Sequence, residues 1–109
     1  MNHYTQQEIL TARLNSLSLL EDLDDTPTLE TAEKAIRSVR LLAGMLTYNG
    51  RKNQAEEVSG ARVSVAADML RAVTPYSCHE NTRTPMLNKH DAALIVGLVI
   101  PYVAPDEYE

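Results

Sequence analysis

Two apolar stripes separated by a short polar break constrain this chain more than any other feature. Leu29, Ala32, Ile36, Val39, Ala43 and Leu46 recur at alternating spacings of three and four residues, which places them along one seam of a helix. Beyond Tyr48-Asn49-Gly50, the residues Val58, Ala61, Val65, Met69 and Ala72 repeat the pattern. A connection this short folds two long helices back on each other as an antiparallel hairpin. In that register Leu46 meets Val58, Ala43 meets Ala61, Val39 meets Val65, Ile36 meets Met69 and Ala32 meets Ala72. Gly44 then falls beside Gly60, where the backbones can approach closely. Asn49 and Gly50 suit a helix stop in the left-handed conformation.

Capping signals set the remaining boundaries. Thr5-Gln6-Gln7-Glu8 is a capping box, in which the hydroxyl accepts from the third amide and the carboxylate reaches back. Tyr4 and Ile9 flank it as a hydrophobic staple. This first helix is expected over about residues 6–23, fraying at the acidic run Glu21, Asp22, Asp24 and Asp25, because carboxylates oppose the dipole there. The second is expected over 28–48, with Pro27 suited to its first turn. Glu30–Lys34 and Glu33–Arg37 are spaced as ion pairs on its outer side. The third is expected over 54–73, with Asn53-Gln54-Ala55-Glu56 as a variant capping box and Thr74-Pro75 as its end. Asn88 with Asp91 opens the fourth, over 89–100, and Leu87 can staple to Ala92. Its run from Ala92 to Ile100 is rich in β-branched residues and also admits a strand. Residues 75–88 carry two prolines and read as an irregular loop; 104–109 read as a mobile acidic tail.

The 109 residues suit one domain. The expected fold is all-α: a small four-helix bundle built on a long antiparallel hairpin, closed by a short apolar C-terminal helix. A core without Trp or Phe suits close packing of aliphatic helices. The N-terminal residues lack a basic segment followed by an apolar run, so no signal peptide is expected. The longest apolar run has nine residues, short of the roughly 20 a membrane helix needs. A cytoplasmic location follows from these features and from the single cysteine.

Functional signals are sparse. Cys78-His79-Glu80 contains the ingredients of nucleophilic catalysis, but sequence neighbours point apart and working pairs come from separate segments. Cys78, His79, His90 and His3 lack the paired short spacings of a metal site. No catalytic, metal or cofactor site is therefore expected. A net charge of −5 and the absence of a basic stripe argue against nucleic acid as a partner. Gly50-Arg51-Lys52-Asn53 joins two cations to a helix N-terminus, so Arg51, Lys52 and Asn53 form a candidate anion site.

The strongest signal is surplus apolar surface. Ile9, Leu10, Ala12, Leu14, Leu17, Leu20 and Leu23 cover well over half of the first helix's circumference, and the fourth helix is apolar all round. A bundle this small surrounds one such helix, not two. Leu10, Leu14, Leu17 and Leu20 are therefore the candidate protein-binding face, toward another protein or a second copy of the chain. A non-enzymatic interaction module is the leading expectation. The size and hairpin plan suit a small regulator or inhibitor of a host protein, of the kind phages and other mobile elements encode. The alternative is a binder of a small phosphate-bearing ligand such as a nucleotide.

Overall fold

The computed structural model describes residues 3–77 and 88–101, with side chains for 3–73 and 88–101. It contains four helices: α1 (Gln6–Asp25), α2 (Leu29–Asn49), α3 (Gln54–Ser77) and α4 (Lys89–Val99). The apolar segment that admitted a strand is helical. α2 packs against α1 on one flank and α3 on the other, and α4 lies against α3 and α1. The hairpin forms one layer, and α1 with α4 forms a second.

Local chemistry accounts for the helix starts. Thr5 Oγ1 accepts from the Glu8 amide at 3.1 Å, and Glu8 Oε1 accepts from the Thr5 amide at 3.0 Å. The bond from the Thr5 amide holds the Glu8 carboxyl below its ordinary pKa, and the Thr5 hydroxyl adds to the effect. A lowered folded pKa means the box is intact above the usual glutamate range and is lost as pH falls through the lowered value. At α2, Thr28 is the N-cap and Thr31 completes a threonine version of the box. Pro27 therefore precedes the cap instead of occupying the first turn. Asn53 Oδ1 accepts from the Ala55 and Glu56 amides at 3.0 and 3.3 Å, and Asn88 Oδ1 from Asp91 at 2.8 Å. α1 continues through its acidic end to Asp25, and Glu30 pairs with Lys34 at 3.5 Å. α3 runs past Pro75 to Ser77. A proline near a helix end removes one backbone bond without breaking the ladder behind it. The Leu87 staple and the acidic tail lie outside the described residues, as does most of the expected 75–88 loop.

The hairpin forms, but its register and faces differ from the expected ones. Over residues 54–73 of α3 the buried residues are Ser59, Gly60, Val63, Ala66, Ala67 and Leu70, whereas Val65 is half exposed and Ala61 and Ala72 are exposed. On α2 the buried set is Ala32, Ala35, Ser38, Val39, Leu42, Ala43, Met45, Leu46 and Asn49, and Leu29 is exposed. Each hairpin helix serves two neighbours, so its buried arc is wider than a single seam and centred elsewhere. Small residues fill the inner arc of α3 because the backbones come together there.

The glycines show how close that approach is. A Cβ on Gly60 would lie 3.0 Å from the Thr47 amide nitrogen and 3.3 Å from the Leu46 carbonyl carbon. A Cβ on Gly50 would lie 2.7 Å from the Glu57 Cα. Gly50 has φ −61° and ψ −17°, so space, not the expected left-handed conformation, requires glycine. Gly44 is not the partner of Gly60: it is exposed, and a Cβ there meets nothing within 4 Å. Gly44→Ala should therefore stabilise the fold by about 0.5–1 kcal/mol, the usual cost of a mid-helix glycine. Gly60→Ala should destabilise it by about 1–3 kcal/mol through overpacking against backbone. Urea denaturation of both variants gives the two signs, and the same sign for both would refute this register.

Candidate functional site

One end of the bundle holds a polar knot that ties all four helices. Asn49, at the end of α2, accepts from the Tyr4 amide at 2.8 Å and donates to the Tyr4 carbonyl at 2.9 Å. Its amide also donates to Glu56 Oε1 at 3.3 Å, which accepts from Gln6 Nε2 at 3.2 Å. Arg13, only 6% exposed, donates to the Val99 carbonyl, and Arg62 donates to the Gly97 carbonyl at 2.8 Å. Two arginines from different helices thus satisfy carbonyls in the last turn of α4, where positive charge also suits the dipole. Desolvation lowers the Arg13 pKa, and the Glu56 carboxylate opposes that shift. These polar groups are taken up in holding the fold.

The apolar surplus lies on the outer layer. Leu10, Leu14, Leu94, Val96 and Ile100 are between 40% and 57% exposed. At about 100° per residue, Leu10 and Leu14 lie about 60° and 100° beyond Arg13 around α1, on the side away from α2. Ala93 is exposed between Leu94 and Val96 on the outward side of α4, and a Cβ on Gly97 meets nothing within 4 Å. The four residues expected to form the contact face therefore divide. Leu10 and Leu14 are exposed, Leu17 is partly buried against the core, and Leu20 is a core residue at 8% exposure. Leu20 faces inward because it sits within about 20° of Arg13 around the helix.

The expected anion site is only partly assembled. Arg51, Lys52 and Asn53 line a cavity of about 500 Å³ with His3, Tyr4 and Glu56. Asn53, however, already occupies two of the helix amides that would hold an anion. The Arg51 guanidinium lies 5.1 Å from the centre of the Tyr48 ring, which meets Tyr4 edge-to-face at 5.7 Å.

A second basic feature was not expected. The open side of the hairpin is a groove between α2 and α3, with Ala43, Gly44, Ser64 and Ala67 along one stretch and Ile36 along the next. Arg37, Arg40, Arg51 and Arg71 line it, against Glu33 and Asp68. Ser38, whose hydroxyl meets Ser16 of α1 at 2.8 Å, is two residues from Arg40, or about 200° around α2. The same offset separates Arg62 from Ser64 on α3, so this groove faces away from α1 and α4. The basic residues do form a stripe once two helices are juxtaposed. Arg37, Arg40 and Gly44 on α2 carry that signal in their spacing, with Arg51 in the turn just beyond it, whereas Arg71 joins them only through the register.

The Cys78-His79-Glu80 segment lies outside the described residues. His3 and His90 are exposed, and no cluster of three metal-ligating side chains occurs among the described residues. No described helix is long and apolar enough to cross a membrane. No known protein family, curated protein or solved structure matches the chain.

Proposed function

We propose that this chain is a non-enzymatic helical module that binds another protein, or a second copy of itself, through the outer face of α4 and the adjoining side of α1. The carrying observation is that α4, apolar around its circumference from Ala92 on, leaves Leu94, Val96 and Ile100 40–46% exposed, while the helix packed against it, α1, leaves Leu10 and Leu14 47% and 57% exposed. Scattered apolar residues need no explanation, but a cluster spanning two adjacent helices marks an interaction surface. The bare Gly97 and small Ala93 allow a partner helix close to the α4 backbone. A module of this size and plan suits a small regulator or inhibitor.

Leu14→Asp should abolish association while leaving helix content and melting temperature close to wild type, because Leu14 is 57% exposed. Leu20→Asp should unfold the protein. Analytical ultracentrifugation reads self-association, and capture from host lysate with stoichiometry reads a heterologous partner. A wild-type protein that stays monomeric, binds no apolar dye and captures nothing would refute the reading.

The cavity at the hairpin tip supports the second reading, a phosphate-bearing small ligand held by Arg51 and Lys52. A nucleotide at 100 times its Kd should then raise stability by about 2.7 kcal/mol, and Arg51→Ala with Lys52→Ala should remove the thermal shift. A shift that survives both replacements would exclude this site.

A further inference from the structure

We infer that the groove between α2 and α3, on the side of the hairpin away from α1 and α4, receives an acidic amphipathic helix from a partner protein. Four arginines and two acids line it in a chain whose net charge is −5, so the local sign is opposite to that of the molecule. Among the described residues, none holds Arg37, Arg40 or Arg71 in a hydrogen bond or ion pair. Their guanidinium forks are available for carboxylates.

Gly44 is the second observation. The fold gives no reason for it: its position is exposed, open above, and helical. Gly50 and Gly60 are each explained by a neighbouring backbone, whereas no described residue accounts for the glycine at position 44. A glycine beside Ala43 and Ala67 lets an incoming backbone settle close to both helices. The stretch of α2 from Arg37 to Asn49 is about 18 Å long at the helical rise, which matches a little over three turns of a docked helix. Packing a third helix into the groove of an antiparallel pair uses ordinary interaxial distances of about 8–10 Å. Its apolar side would rest on Ile36, Ala43, Gly44 and Ala67, and its carboxylates would reach the arginines on both walls. A phosphate backbone fits less well. The net charge repels it, and the Tyr48 ring is already covered by Arg51 and met by Tyr4, leaving no platform for base stacking.

The test uses the full chain and a labelled helical peptide of about 20 residues, with Glu along one face and Ala and Leu along the other. Fluorescence anisotropy should show binding that weakens by about tenfold from low to high salt, as expected for charge pairs that stay in contact with solvent. Gly44→Trp fills the groove where a side chain meets no atom, and Arg40→Glu reverses the charge shared by both stretches. Each should weaken binding about tenfold or more with a circular-dichroism melt no lower than wild type, and Leu14→Asp should leave binding unaltered. That last variant separates this groove from the apolar face proposed above. An oligothymidylate binding more tightly than the peptide, with the same two variants losing it, would assign the groove to phosphate and overturn the acidic helix. Absence of peptide binding, or binding indifferent to both variants, would overturn the groove as a docking site.

Discussion

Replacing Leu42 with alanine should lower the stability of this fold by about 3 kcal/mol, within the 2–5 kcal/mol found for buried leucines. Leu42 has no exposed surface and is among the largest fully buried side chains. It stands midway along α2, the helix that packs on both α1 and α3, so the cavity left by truncation opens in the middle of the core. Rigid helices on two sides cannot both close the gap, which favours the middle of the range over its lower end. A domain of this length has about 5–15 kcal/mol in total, so one side chain removes a large share. The melting temperature should fall by about 12–24 °C, taking about 4–8 °C per kcal/mol. Leu41 is the control: it is one residue away and 62% exposed, and its alanine variant should stay within about 0.5 kcal/mol of wild type. Comparable losses at the two positions would mean that α2 is rotated from the orientation described.

Arg13→Ala should cost about 3 kcal/mol, at the lower edge of what is lost when one partner of a buried charged contact is removed. Two effects compete. Burying the guanidinium carries a desolvation penalty, visible in its lowered pKa. Removing it leaves the Val99 carbonyl without its side-chain donor, at about 1–3 kcal/mol, and leaves Glu56 without the cation nearby. Truncation also empties the volume of the long side chain. Arg13→Met separates these contributions, since it keeps much of the packing and discards the charge, and should cost about 1–2 kcal/mol. Urea denaturation of both variants decides the balance. A methionine variant as stable as wild type would show that desolvation cancels the hydrogen bond, and that Arg13 confers orientation on α4 without stabilising it. Because an arginine remains protonated throughout the working range, neither effect should vary with pH near neutrality.

The helices themselves were legible because they are punctuated by chemistry that acts locally. Thr5 with Glu8, Asn53 and Asn88 name their own helix starts, and a short polar link leaves little choice but a hairpin. Which face of each helix turns inward was less legible. Val65 belongs to the more hydrophobic stripe of α3, yet Ser59, Gly60 and Ala66 are buried, because the inner surface is selected for closeness of approach as well as for transfer from water. Arg13 gave no signal, since a cation at the centre of an apolar face is recognisable only when the carbonyl it serves, 86 residues away, is in place. The candidate contact face was half visible for the same reason. Leu10 and Leu20 look equivalent in sequence, and it is the seat of α4 that exposes one and buries the other. The arginine groove required two helices at once, and so could be read only in part from either.

Every helix here packs on its neighbour in sequence, and the contact that closes the bundle runs from Arg13 to Val99. Loop-closure entropy grows with the length of chain enclosed, so the pairings of α1 with α2 and of α2 with α3, each across a short link, are the cheapest to form and the closing one among the dearest. During synthesis α4 also emerges after the other three. Until it does, the Arg13 guanidinium lacks its Val99 carbonyl and remains hydrated, leaving a nascent three-helix species with an open, adhesive side. α4 thus arrives as the lid on a core to which the three helices before it have already contributed.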